Sequence, residues 1–507
     1  MDETKLTYFG IGNFRVFERL EQFEIAPITI LTGKNNSGKS SLIKAILLFA
    51  KTIKSTNGLY LEFRDSDLNL GGFDKVKNYN SSDNDDIYFY FDVKKGDTSY
   101  TFSAFYEKTG IDYFRVAVGD TTILEISGER EDDNFICTES YIYLDEGIVD
   151  KEKLQKRLGN LSKEELAKIV SSIVQFLENS KKEDSIGTIK FGNLIDEKNH
   201  FLFNVRNKIY DALLNTKKKT CFDKVLNIDI QEQIEATFLQ EQIGNYLINN
   251  GAYFIFIPDD LFYPFVNIDF LESVRAQQSM VYKDIDNPKL IDLFKKYQRM
   301  PSINYKKGEI RKALDSEFGM KKIFLDSWLR EFGIVDFESE LTIEYQPGYG
   351  YRISIIKNGR SMDLTEVGYG FTQLIPMILK ICTSENKIII IEEPEANLHP
   401  ALQSKLADFF YKASRTFNIQ FIIETHSEYL IRKLQYLTAK VGEDLSPDDT
   451  VIYYFFPPTE IQNGGNQIRK IKINQDGSLT NDFGTGFFDE ADKIAMTIWN
   501  MNNSQKN

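Results

Sequence analysis

The stretch Gly33-Lys34-Asn35-Asn36-Ser37-Gly38-Lys39-Ser40 limits this chain more than any other feature. It is a GxxxxGK[ST] loop set between the apolar run PITILTG and the helical run KSSLIKAILLFA. The first run reads as a buried strand and the second as an amphipathic helix. A loop of this composition, at a strand-to-helix turn, points successive backbone N–H groups at one place, and its glycines permit the angles required. The helix N-terminus adds partial positive charge. That combination suits a nucleotide phosphate. Lys39 is expected to reach the β and γ phosphates of ATP, and the Ser40 hydroxyl to ligate Mg²⁺. Gly33, Asn35, Asn36, Ser37, Gly38 and Ser41 complete the expected binding loop.

Such a loop needs a carboxylate at the end of a second buried strand. Ile388–Ile391, followed by Glu392, Glu393 and Pro394, supplies one. Glu392 is expected to hold Mg²⁺ through water and Glu393 to polarise the attacking water. Two adjacent carboxylates repel one another, so placing them together without a cation is costly. The alternative reading is a polar strand end that opens a turn. Lys39 and Glu392 lie 353 residues apart, so the site is divided by a long insertion. Ring-forming motors usually keep these two elements close, and a split head carrying an inserted arm or lid fits better.

Histidine is scarce, with only His200, His399 and His426 in 507 residues. His426 follows the strand NIQFIIET, next in sequence to the Glu393 strand, which places it at the crevice of a parallel sheet. It is expected to sense the γ phosphate or position the water, with loop capping as the competing role. His399, in Asn-Leu-His-Pro, is expected to fix the turn after Glu393 or to contact a facing subunit. His200 reads as structural.

Composition narrows the classes. Hydrophobic residues at 42% exclude a wholly disordered chain. Net charge is −14, from 61 Lys+Arg against 75 Asp+Glu, which argues against coating nucleic acid by bulk charge. Three cysteines without a CxxC exclude a disulfide framework and a cysteine zinc site. The acidic N-terminus shows no signal peptide, and no apolar run approaches 18 residues. The expectation is a cytoplasmic protein with no membrane span.

Four segments follow from the patterning. Residues 1–150 form the first half of the head, with period-two stretches such as YFYFDV and SYTFSAFY predicting an antiparallel lobe. Residues 151–335 read as a mainly helical insertion, with one embedded strand at 251–258 and a capping box at Ser162 and Glu165. Residues 336–440 return in β-α-β-α order, the second half of a doubly wound parallel sheet. Residues 441–507 add two strands, a turn and a final helix.

GKNNSGKSSL, EVGYGFTQLIP, IIIIEEPEANLHP and ETHSEYLI together resemble the motifs of bacterial ABC/SMC-like ATPases related to the overcoming-lysogenization-defect (OLD) proteins and to phage-defence ATPases. The order matches Walker A, signature, Walker B with an LHP turn, and switch histidine. The resemblance implies a split ABC-type α/β head and a head-to-head dimer sandwiching two ATP molecules. Gly368, Gly370, Thr372 and Gln373 match the signature region, which would contact ATP held by the opposite subunit. Many ABC-type ATPases have Asp where Glu392 stands, and the signature is far from LSGGQ. The resemblance also implies a sensor or regulatory subunit of an antiphage system, controlling a separate effector such as a nuclease. VRAQQSMVY and GTGFFDEA look like segments of a subgroup with a short C-terminal domain of unassigned role.

OLD nucleases add an acidic TOPRIM cluster after the switch histidine. The 81 residues following His426 contain no DxD triplet, so no intrinsic nuclease is expected. Residues 295–322 carry nine basic side chains with Tyr297 and Tyr305 interleaved. Contact with nucleic acid, a solvated helical face, and a patch for an acidic protein all remain open. An ATP-gated scaffold with slow turnover and an SMC-like DNA-maintenance ATPase are the competing functions.

Overall fold

The structure is a computed structural model that describes residues 4–142 and 259–504, apart from short stretches within those spans. His200, the capping box at Ser162, the strand expected at 251–258 and most of VRAQQSMVY lie outside the described residues. The chain divides into two compact units, residues 1–24 with 41–266, and residues 25–40 with 267–507.

The first unit is built on a seven-stranded antiparallel sheet. Its strands are β1 (Thr4–Gly12), β2 (Glu21–Glu24), β6 (Ile87–Lys95), β7 (Thr98–Glu107), β8 (Gly110–Val118), β9 (Thr121–Glu131) and β10 (Asn134–Ile142), in the order β10-β9-β8-β7-β6-β1-β2. A two-residue hairpin, β4 (Arg64–Asp65) and β5 (Leu68–Asn69), lies between its halves in sequence. In β6 and β7 buried residues alternate with partly exposed ones, as one covered face requires. Phe49, from helix α1 (Lys39–Thr56), packs against Phe89, Phe91 and Phe265 with ring centroids 4.9–5.0 Å apart. These rings form an aromatic core of the kind that dominates packing energy.

The second unit holds the sheet that positions the site. β3 (Ile28–Gly33), β11 (Ile268–Leu271), β15 (Lys387–Glu392), β16 (Ile419–Glu424) and β17 (Thr450–Phe455) run parallel, and β18 (Ile468–Lys472) closes one edge antiparallel. The order is β11-β15-β16-β3-β17-β18. Every residue of β3, β16 and β17 is buried, as are the four isoleucines of β15. Parallel strands covered on both faces read as continuous apolar runs for this reason. Five helices of this unit are α2 (Pro288–Gln298), α3 (Gly319–Glu331), α4 (Tyr369–Cys382), α5 (Pro400–Phe417) and α6 (Glu428–Ala439). A small antiparallel sheet, β12 (Ser339–Gln346), β13 (Gly350–Lys357) and β14 (Arg360–Asp363), joins them. The C-terminal helix α7 spans Glu490–Ser504.

The described part of the segment expected as an insertion, from residue 267 on, packs within the second unit. β11 pairs with β15, and Leu290, Phe294, Leu325 and Trp328 of α2 and α3 belong to the second unit's hydrophobic core. Asp269 on β11 ties this together. Burial pushes its carboxyl up, but Lys380 and Lys387, each 2.9 Å away, more than reverse that and hold it below the ordinary range. No helix among the described residues is long and apolar enough to cross a membrane.

Candidate nucleotide site

Parallel strands bring their carboxyl ends to one edge, and loops there carry the chemistry. In this sheet, register sets Glu392 opposite Glu424, Glu424 opposite Leu31, and Gly33 opposite Phe455. The ends of β15, β16, β3 and β17 thus meet around the Gly33–Ser40 loop.

The loop has the backbone of an anion nest, with positive φ at Gly33 (129°), Asn36 (61°) and Gly38 (108°). Gly33 is irreplaceable on two grounds, because a Cβ there would also stand 2.3 Å from the Phe455 carbonyl oxygen. Ser37 closes the turn by donating to the Lys34 carbonyl at 2.7 Å. Lys39 is 4% exposed and donates to the Gly33 and Lys34 carbonyls at 3.0 and 2.9 Å. Burial lowers its pKa, with Glu424 and then Glu393 pulling upward. Ser41 follows in the first turn of α1.

Glu393 is exposed and takes a left-handed backbone (φ 43°), and its N–H donates to the Glu424 carbonyl at 2.8 Å. This strained position turns the chain out of the sheet immediately after Glu392. His426 is exposed, with its ring only partly buried. Burial lowers its pKa, Lys39 lowers it further, and Glu393 opposes both. Lys39, Glu393 and His426 therefore lie within electrostatic reach of one another, as the motif spacing requires. His399 caps α5, its Nδ1 accepting the Ala401 N–H at 3.3 Å.

Four residues in this site escaped the motif reading. Glu424 accepts hydrogen bonds from Ser40 Oγ at 3.2 and 3.4 Å, and its carboxylate is 3.8 Å from Lys39 Nζ. Glu395, the third carboxylate of EEPEA, is 8% exposed and accepts the His426 N–H at 2.7 Å. Burial pushes its pKa up, partly offset by that hydrogen bond. Gln467 donates to the Ser37 carbonyl at 2.8 Å, and Glu460 pairs with Lys34, so the C-terminal segment touches the loop directly. A carboxylate ending the otherwise apolar strand NIQFIIE was a readable signal for Glu424. For Gln467 there was none.

In the signature region, Thr372 and Gln373 are 0% and 2% exposed, on the buried face of α4. The exposed part is the N-terminal turn, Gly368 and Tyr369. Gly370 packs so closely on the loop after β15 that a Cβ would lie 2.5 Å from the Asn397 carbonyl oxygen.

The basic stretch also changes meaning. Lys296, Lys321 and Lys322 pair with Asp292, Glu385 and Asp326, and the Tyr297 hydroxyl donates to the Leu341 carbonyl. Tyr297 is thus held within the fold, away from stacking on a base. Lys295 and Arg299 are exposed. Tyr305, Lys306, Lys307, Arg311 and Lys312 lie outside the described residues.

A hard divalent cation prefers oxygen donors, and triphosphate prefers lysine with loop N–H groups. The oxygens of Ser40, Glu392 and Glu424, together with Lys39 and its loop, are donor types that fit Mg²⁺ and ATP.

A family profile described as an AAA ATPase domain matches residues 5–431. Another, described as a protein of unknown function (DUF3696), matches residues 445–497. No curated protein matches. Similar solved structures include the SMC head domain from Thermotoga maritima, at 13% identity over 89% of this chain and 94% of that one, TM-score 0.35. The Smc head domain with an extended coiled coil bound to the C-terminal domain of ScpA, derived from Pyrococcus furiosus, has 12% identity over 98% and 99%, TM-score 0.33. The recombination mediator protein RecF-ATPrS in the RecFOR pathway has 11% identity over 90% and 97%, TM-score 0.27.

Proposed function

The chain belongs to the AAA ATPase domain family, and on that premise we propose that it is a Mg²⁺-dependent ATPase that dimerises around ATP and controls a separate effector protein in antiphage defence. The observation that carries the ATPase reading is the convergence of Lys39, Ser40, Glu393 and His426 at one edge of the parallel sheet. Lys39 holds the β and γ phosphates once they displace it from its two loop carbonyls, and the N–H groups of Asn35–Ser41 cradle them. Ser40 and Glu392 would hold Mg²⁺, which would offset the charge of the phosphates. Glu393 accepts the proton of the attacking water, and neutral His426 orients that water or senses the γ phosphate.

The regulatory part rests on resemblance in the motifs and on one supporting observation. Ile494, Met496, Ile498, Trp499 and Met501 of α7 are each more than half exposed, a surface suited to docking an effector such as a nuclease. The exposed turn at Gly368 and Tyr369 is where a second copy would meet bound ATP. The site is best tested by calorimetric titration of ATP into wild type and Lys39→Ala. Binding lost in Lys39→Ala supports it, and equal affinity refutes it.

A further inference from the structure

We propose that Glu424 is an electrostatic selector that makes this site bind ATP with a divalent cation in strong preference to ATP alone. The inference rests on reading the Gly33–Ser40 loop as an ATP site. It assigns a role to a carboxylate that lies outside the loop and outside the Glu392–Glu393 pair.

Four observations point to it. Glu424 ends β16, the strand beside β3, whereas Glu392 ends β15, one strand further from the loop. It is 8% exposed, so water screens its charge poorly. Its carboxylate accepts from Ser40 Oγ and lies 3.8 Å from Lys39 Nζ. Those two side chains are the ones a cation and a phosphate must recruit. Without ligand, Glu424 therefore offsets the Lys39 charge and occupies the Ser40 hydroxyl.

A bare triphosphate entering the loop would meet this buried negative charge at close range, and like charges in such a setting repel strongly. A divalent cation held at Ser40 would reverse the sign and make Glu424 a favourable neighbour. Glu392, at the next strand end, remains the second carboxylate facing the same cation. The loop alone would tolerate either form of the nucleotide. Glu424 separates them.

The test is calorimetric titration of ATP into the full chain, in Mg²⁺ and in EDTA, for wild type and Glu424→Gln, which keeps the shape and removes the charge. Glu424→Gln is expected to bind ATP in EDTA at least about tenfold tighter than wild type, narrowing the gap between the two buffers. If the EDTA affinity is unchanged or weaker while wild type binds in Mg²⁺, the selector is overturned and the ATP site stands. If wild type binds ATP in neither buffer, the site reading falls and the selector with it. Should circular dichroism show Glu424→Gln unfolded, Glu424→Ala carries the same expectation, and unchanged EDTA affinity there overturns the proposal equally.

Discussion

At the scale of single residues, His426 shows how the site sets protonation. Burial and Lys39 hold its pKa below the ordinary value near 6.5, so the ring is neutral at pH 7 and can accept a hydrogen bond. The sign of the linkage follows. The native chain binds fewer protons here than the unfolded chain, so this residue's contribution is complete above about pH 6.5 and is lost as pH falls below it. Wild type is therefore expected to lose more melting temperature between pH 7 and pH 5 than His426→Gln, as scanning calorimetry can measure. Equal losses would contradict a pKa held down by partial burial and Lys39. The motifs made Lys39, Ser40, Glu392, Glu393 and His426 legible, because each stands at a fixed offset from a strand end. Glu424 was not legible in its role, since its contact with Ser40 spans 384 positions in sequence. Glu395 escaped because its work is done through the backbone of His426.

At the scale of elements, sequence exposes what periodicity encodes. β3, β15 and β16 were readable as apolar runs because both faces are covered, and β6 and β7 as alternating ones because they are covered on one face. β11 was missed because four residues, only the first of them buried, set no period. The close packing of α4 on the loop after β15 was equally invisible, since a glycine at position 370 has many possible reasons. The 2.5 Å approach to the Asn397 carbonyl names one. Gly370→Ala would force a methyl group against the Asn397 backbone, with an expected loss of about 1–3 kcal/mol. Urea unfolding should show a lower midpoint, and an unchanged one would mean the loop yields freely. Gln467 lies within the segment matched by the profile of unknown function and holds the Ser37 carbonyl. Gln467→Ala is expected to weaken ATP binding several-fold through loss of one hydrogen bond of about 1 kcal/mol. Calorimetry would read this, and unaltered affinity would remove that segment from the site.

At the scale of the whole molecule, the residues of the proposed nucleotide site come from stretches far apart in sequence, all within the second unit apart from Ser41. Residues 25–40 are taken into the second unit while the residues on either side belong to the first. Light scattering is expected to show the 58.6 kDa chain doubling its mass when Mg²⁺ and ATP are both present. A mass unaffected by nucleotide would contradict the ATP-sandwich dimer while leaving the site itself intact. We assign to Glu393 the activation of water against ATP held by Lys39, and the rate of cleavage reads this directly. In single-turnover hydrolysis, Glu393→Gln should still bind ATP but cleave it at least about a hundredfold more slowly than wild type. Cleavage at the wild-type rate would contradict the account.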